Sequence, residues 1–216
     1  MIKLNASIEA IKKSIKDYGI ESLVLSFNGG KDCTVLLHLF FEVLCQLNAN
    51  NDSVLKINTL YVASPNPFSE VTEFVNYCKK RYDLRLFQYE TQMKQALQIF
   101  LDSASQVQAI LIGQRRSDPY SSHLTTFIKT DNGWPEIMRV HPILDWEYDE
   151  IWEYLLENGL PYCTLYDQGF TSLGSKNNTM QTLCLQNKDR FCGYDPAYLL
   201  KDFSKEREGR LDNVHS

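Results

Sequence analysis

Apolar residues fall into two rhythms along the first half of the chain. Residues 5–18 place Ile8, Ile11 and Ile15 at helical spacing with Lys12, Lys13 and Lys16 between them, which predicts an amphipathic helix. Residues 22–27 (SLVLSF) form a short, almost continuous apolar run, the pattern of a buried strand. Residues 31–47 return to helical period with few polar breaks, a mostly buried helix. Residues 54–62 predict a second strand. Asn66-Pro67 reads as an N-cap followed by the first helical position, opening a helix to about Arg81. Residues 84–89 give a third strand, 91–103 another helix and 108–112 (QAILI) a fourth strand. Strand and helix in alternation imply parallel strands joined by right-handed crossover helices. The expected fold class is α/β: a doubly wound, mostly parallel sheet with helices on both faces.

The second half is less regular. One helix is expected within residues 143–158, carrying Trp146, Ile151, Trp152, Leu155 and Leu156. Residues 161–182 are rich in Gly, Asn, Ser and Thr and read as ordered loop, and the tail from Lys201 mixes basic and acidic residues. No repeat or linker interrupts the 216 residues, so one domain is expected.

Net charge changes the picture in one respect. At −5, from 22 basic and 27 acidic residues, it disfavours a non-specific nucleic-acid binder but leaves room for a local basic site that takes an anionic small molecule. The longest apolar stretch, 35–47, is broken by His38, Glu42 and Gln46 and is too short to span a bilayer. The N-terminus has neither a secretory apolar core nor the Arg-rich look of a transit peptide, so a cytoplasmic protein is expected. Its six cysteines then read as reduced thiols, mostly small buried hydrophobes, and without C-x-x-C or clustered histidines no zinc site is expected.

Ligands of open parallel sheets bind beyond the carboxyl ends of the strands. Two unusual segments begin there. Asn28-Gly29-Gly30-Lys31-Asp32-Cys33 joins a strand to a helix. Its glycines permit a tight turn, the helix start offers unpaired N–H groups, and Lys31 adds charge, which together make an anion cradle. It is not a Walker loop. Asp32 would repel a phosphate unless Mg²⁺ lies between them; equally, it suits a helix N-terminus. Gly113-Gln114-Arg115-Arg116-Ser117-Asp118-Pro119 follows the fourth strand. Two arginines there can grip phosphate bidentately, or sit in solvent beside a plain Asp-Pro turn.

SFNGGKDC resembles the pyrophosphate loop of the PP-loop ATP pyrophosphatases, S-G-G-x-D-S, and departs from it at Asn28 and Cys33. G-x-R-R-x-D-P resembles the flavin motif of the fungal-type FAD synthases, in the sulfonucleotide-reductase-like branch of that family. The likeness continues through Asp131-Asn132-Gly133-Trp134-Pro135, Met138-Arg139, Pro142-Ile143-Leu144-Asp145-Trp146, Pro161-Tyr162-Cys163 and Leu165–Gly174 to the pair Arg207 and Arg210.

The resemblance implies transfer of AMP from ATP to the phosphate of FMN, giving FAD and pyrophosphate with Mg²⁺; from charge and hydropathy no nucleic-acid or membrane partner is expected, and the chain is expected to be a monomer. The resemblance also implies one PP-loop α/β domain over 1–216, with a loop-rich flavin-binding part from about 113 to 216. Phe27, Asn28, Gly29, Gly30, Lys31, Asp32 and Cys33 would hold ATP and its pyrophosphate, with Mg²⁺ on Asp32 through the phosphates. Gly113, Arg115, Arg116, Asp118, Pro119, Asp131, Asn132, Gly133 and Trp134 would hold the flavin. Asn28, Asp32, Asp118, Arg207 and Arg210 would carry the catalysis.

Two other functions compete. A sulfonucleotide reductase needs a reactive C-terminal cysteine in an E-C-G-x-H setting, whereas the last cysteine here lies in Phe191-Cys192-Gly193-Tyr194; an RNA thiolase fits the acidic charge poorly. A catalytically silent flavin or nucleotide carrier would not need Lys31, Asp32 and both tail arginines. Among the remaining aromatic and basic residues, Trp146 and Trp152 read as core on one helix, His38 and His141 as satisfied core histidines, and Lys79-Lys80-Arg81 as a solvated helix end. Asn66–Glu70 either borders the adenosine or simply caps a helix.

Overall fold

The computed structural model describes residues 2–49 and 56–211. Helix α1 (Ile2–Tyr18) precedes β1 (Leu23–Ser26), α2 (Lys31–Asn48), β2 (Ile57–Val62), α3 (Ser69–Arg81), β3 (Leu84–Tyr89), α4 (Met93–Ser103) and β4 (Ala109–Ile112). Two three-residue strands follow, β5 (Phe127–Lys129) and β6 (Met138–Val140), then α5 (Tyr148–Glu157) and a series of short 3₁₀ turns. The strand order is β3-β2-β1-β4-β6-β5. All neighbours pair in parallel except β5, which runs antiparallel to β6.

Alternation along the strands divides the core. Leu23, Leu25, Ile57, Tyr61, Ala109 and Leu111 pack with α1, α2, α3 and α5 on one face. Val24, Leu60 and Ile110 face Leu97 and Phe100 of α4 on the other. The sheet is thus wound on both faces, in line with the sequence. The chain adds β2 and β3 on one side of β1, then crosses by α4 to add β4 on the other side. That reversal opens a crevice between the carboxyl ends of β1 and β4, where the two unusual loops emerge.

Three local expectations are corrected. Asn66 and Pro67 do not begin α3: Asn66 is left-handed (φ 53°), Pro67 bridges to Ser175, and Phe68 precedes the first helical residue. Pairing with the loop at 175–177 overrides the N-cap signal there, as Lys176 N–H donates to Asn66 O and Asn66 Nδ2 to Asn177 Oδ1. Trp146 lies in the turn before α5, whose start is fixed by a reciprocal capping box between Glu147 and Glu150; both Trp146 and Trp152 are buried. Strands β5 and β6 have no counterpart in the sequence reading, because three residues carrying Lys129 and Arg139 are too short to show alternation. Val54 and Leu55, the first residues of the expected second strand, lie outside the described residues.

Candidate active site

The loop after β1 is tied together by its own side chains. Gly29 takes a left-handed φ of 77°, which a residue with a Cβ rarely adopts. Asn28 turns its amide oxygen inward to accept from Gly30 N–H (2.9 Å) and Cys33 Sγ–H (2.9 Å). This gives the two departures from the usual motif a joint explanation: Asn28 and Cys33 bond each other across the turn. Burial pushes the Cys33 thiol up to about 12, so it is an inert hydrogen-bonding group rather than a nucleophile. Gly30 caps α2, and Lys31 N–H donates to the Tyr166 hydroxyl (2.9 Å).

Four charges lie beneath this loop. Lys31 is 2 % exposed and Arg115 1 %. Lys31 Nζ meets Asp32 Oδ2 (3.0 Å) and Glu206 Oε1 (2.5 Å), and lies 5.2 Å from the centre of the Tyr148 ring. Arg115 meets Glu206 through one guanidinium nitrogen (2.5 and 2.6 Å) and Asp32 Oδ1 through Nε (2.6 Å). The last contact is an ion pair without hydrogen-bond alignment, so Asp32 Oδ1 and Arg115 Nε both lack a hydrogen-bond partner. Burial alone would raise the pKa of Asp32, but Lys31 and Arg115 beside it hold it below the ordinary carboxylate value. The same pairing outweighs burial at Lys31 and Arg115 and keeps both protonated.

A polar cavity of about 320 Å³ opens above these charges. The loop after β1 forms one wall. Gly113, Gln114, Asp118 and Pro119 form the second, and Tyr166, Ser172 and Leu173 with Glu206, Arg207 and Arg210 the third. Gly113 is there because a Cβ would lie 2.7 Å from Cys33 Cα; β4 and α2 touch backbone to backbone. Asp118 Oδ2 accepts from Arg115 N–H (2.8 Å), and burial raises its pKa. The tail is laid across the site as a strap. Thr171 Oγ1 donates to Glu206 O (2.6 Å), Met180 N–H to Gly209 O (2.8 Å), and Arg210 to Leu173 O (2.7 Å).

A second cavity of about 360 Å³, more apolar, adjoins the first through Gln114. Met93, Leu97, Ile110, Ile112 and Trp134 line it, with Asp131 at its edge paired to Arg139 (3.2 Å). Asn132 and Gly133 make the turn that presents Trp134, closed by Trp134 N–H donating to Asp131 O (3.0 Å).

Of the expected site residues, Asn28, Gly30, Lys31, Asp32, Cys33, Gly113, Asp118, Pro119, Arg207 and Arg210 meet around the first cavity, and Asp131 and Trp134 at the second. Others stand apart. Phe27 lines neither cavity: its side chain is in the core and its N–H donates to Leu60 O. Arg116 lines neither cavity. It reaches Asp145 (2.7 Å) and the Ser122 and Leu124 carbonyls, pinning its own loop from outside. Arg115 is sealed among carboxylates. His141 is buried, but neither ring nitrogen has a partner, unlike a satisfied core histidine. Cys33, Cys78 and Cys163 are buried as expected, whereas Cys45, Cys184 and Cys192 are exposed. The sequence reading did not name Glu206, Arg139, Gln114 or the α4 residues as site residues; Arg139 stood in the quoted likeness, and nothing local marks Glu206.

The phosphoadenosine phosphosulfate reductase domain model matches residues 22–105 and 95–181. A probable FAD synthase of Schizosaccharomyces pombe is 42% identical over 215 residues, covering 98% of this chain and 80% of the relative. A probable FAD synthase of Caenorhabditis elegans is 34% identical over 211 residues; the match takes 96% of this chain but 40% of that longer protein. The crystal structure of Candida glabrata FMN adenylyltransferase in complex with FMN and the ATP analogue AMPCPP superposes with a TM-score of 0.88 at 27% identity, covering 96% of this chain and 88% of that one. Likeness of this extent, over loops and tail as well as the sheet, shows that the chain belongs to the FAD synthases of the phosphoadenosine phosphosulfate reductase domain family.

Proposed function

We infer that this protein is an FMN adenylyltransferase: ATP + FMN → FAD + pyrophosphate. The observation that carries this reading is the pair of adjoining cavities at the switch point of the sheet. One is polar and walled by a glycine loop and two arginines, as a polyphosphate requires. The other is apolar with a charged pair at its edge, as a flat ring with one polar side requires.

The chemistry asks little of the protein beyond placement. The FMN phosphate is already an anion near neutral pH, so its oxygen attacks the α-phosphorus without a general base. The new P–O bond forms as the bond from the α-phosphorus to the bridging oxygen breaks, and pyrophosphate leaves with the electron pair. The task is to align two polyanions and stabilise charge on the leaving group. Backbone donors of the loop and the Asn28 amide nitrogen take the leaving phosphates. Arg207 and Arg210 face the same space and supply the positive field. Tyr166, whose oxygen already accepts from Lys31 N–H, has its own O–H to offer. Trp134 covers the flavin, and Asp131 with Arg139 addresses its polar edge. The flavin side of this reading is shared: Gln114, Thr130, Asp131, Trp134 and Arg139 come from the part after residue 113, and Met93, Leu97, Ile110 and Ile112 from α4 and β4 before it.

Mg²⁺ belongs to this reading through Asp32. Among the described residues, no cluster of three or more His, Cys, Asp or Glu is placed to hold a metal. Asp32 Oδ1 faces Arg115 Nε (2.6 Å) and Oδ2 faces Lys31 Nζ (3.0 Å), so the carboxylate would meet an ion through phosphate oxygens and water rather than in a protein-built cage. Such an ion would neutralise phosphate charge. Among the described residues no helix is long and apolar enough to cross a membrane; the net charge of −5 supports a protein that works on small molecules rather than nucleic acid. A thiol-dependent reductase draws no support from Cys192, which lines neither cavity.

The test is to mix the purified chain with FMN, ATP and Mg²⁺, follow flavin fluorescence and separate the products. Quenching with equal amounts of FAD and pyrophosphate is expected. Tight flavin binding without FAD would identify a carrier, and no flavin binding would refute the assignment of both cavities.

A further inference from the structure

Glu206 stands at a point where three separate segments meet. Its Oε1 is 2.5 Å from Lys31 Nζ, in the loop after β1, and 2.5 Å from an Arg115 nitrogen, in the loop after β4. The residue is 8 % exposed, on a segment otherwise mostly exposed from 201 to 205. Burying a carboxylate is unfavourable unless it is paired, and here both partners are themselves buried cations. Without Glu206, Asp32 is the carboxylate paired to the Lys31 and Arg115 side chains, with Asp118 held nearby on the Arg115 backbone N–H. With Glu206 the four charges sum to zero. The positive field on a polyphosphate must then come from elsewhere, and Arg207 and Arg210 follow one and four residues later on the same strap.

We propose that Glu206 is a positioning residue for adenylyl transfer: its carboxylate locks the strap onto Lys31 and Arg115 and so sets Arg207 and Arg210 against the phosphates. The strap's other ties are consistent with a single docked position. Thr171 holds the Glu206 carbonyl, and Gly209 has no room for a Cβ against the Met180 carbonyl. Those ties fix the height of the backbone. Glu206 links it to the pyrophosphate loop through Lys31.

This inference rests on the adenylyl-transfer reading, and the experiment separates the two. Glu206→Gln keeps the size and an acceptor for Arg115 but removes the charge; Glu206→Ala removes both. Each is made alone and in an Arg207→Ala, Arg210→Ala background, and FMN affinity, kcat and the KM for ATP are measured. In the intact chain, Glu206→Gln should lower kcat about tenfold to a hundredfold with FMN affinity unchanged. In the background lacking both arginines the same change should have less than about a threefold effect, because residues acting as a unit are not additive. Full additivity in that background would overturn the proposal, as would a kcat for Glu206→Gln within about twofold of wild type. Loss of FMN binding together with turnover would make Glu206 a general fold contact and overturn it too. If Glu206→Ala does not fold, Glu206→Gln decides. A wild-type chain that makes no FAD sinks the parent reading instead.

Discussion

Replacing Gly113 by alanine tests whether the two loops work as one unit. The added Cβ would lie 2.7 Å from Cys33 Cα, 2.8 Å from Cys33 N and 3.1 Å from the Asp32 carbonyl carbon. Carbon atoms in contact sit about 3.5–4.0 Å apart, so the shortfall is about 1 Å. All three obstacles are backbone, so no side-chain rotation relieves it; the exit of β4 or the first turn of α2 must retreat. Overpacking of this kind costs about 1–3 kcal/mol of stability. The displacement also falls between Asp32 and Asp118, on opposite walls of the polar cavity, where a misplacement of about 1 Å reduces turnover about a hundredfold. Gly19→Ala is the control. It carries a φ of 77° but has nothing within 4 Å of the added atom, so it strains only its own backbone. Urea unfolding and steady-state FAD formation should show both variants destabilised and Gly113→Ala alone slowed, about a hundredfold. A Gly113→Ala enzyme with normal kcat would refute the claim that this backbone contact sets the geometry of the site.

Asp32→Asn should abolish FAD formation while flavin binding, followed by fluorescence, stays within about threefold, because the second cavity does not include Asp32. Tyr166→Phe removes one hydroxyl donor from the polar cavity but keeps the ring packed against Trp152; kcat should fall about tenfold to a hundredfold, as for a lost hydrogen bond to a charged group, without a change in FMN affinity. Trp134→Ala should raise the KM for FMN about tenfold and leave kcat nearly unchanged, since it removes contact to the ring alone. His141 is held down to about 4 by burial, with Arg139 adding to the effect. The unfolded state therefore binds a proton between the ordinary histidine value and about 4 that the folded state refuses. Stability present above about pH 6.5 should drain away toward pH 4 by about 3 kcal/mol, and urea titrations of His141→Phe should lack that slope.

The frame of the fold was legible because its signals are local. β1 and β4 are continuous apolar runs, and α2 and α5 carry apolar stripes, so neighbouring residues were enough to recognise them. β5 and β6 are held by each other and by β4, and nothing within three residues announces that. The loops were legible as loops but their side chains were not. Arg115 and Arg116 are adjacent and alike in sequence, yet one is sealed against Glu206 and the other reaches outward to Asp145, because successive side chains leave the backbone on different sides. Glu206 was hidden for a stronger reason. One acid in a tail of mixed charge looks like solvated surface, and its partners lie 175 and 91 positions earlier.

That separation has a consequence for how the molecule matures. Closing a loop of that length costs entropy that the nearer pairings of β1, α2 and β2 do not, so the Glu206 contacts with Lys31 and Arg115 depend on the sheet being in place first. A chain whose sheet is complete but whose last segment is not yet docked holds Lys31, Arg115 and Asp32 in water, with no strap over them. On the proposed roles, such a chain would have the nucleotide loop in place without Arg207 and Arg210 set against it. Activity on this reading needs the strap docked as well as the scaffold folded. Pulse-labelling hydrogen exchange tests this: amides of β1 and β2 should gain protection before those of the Glu206 strap.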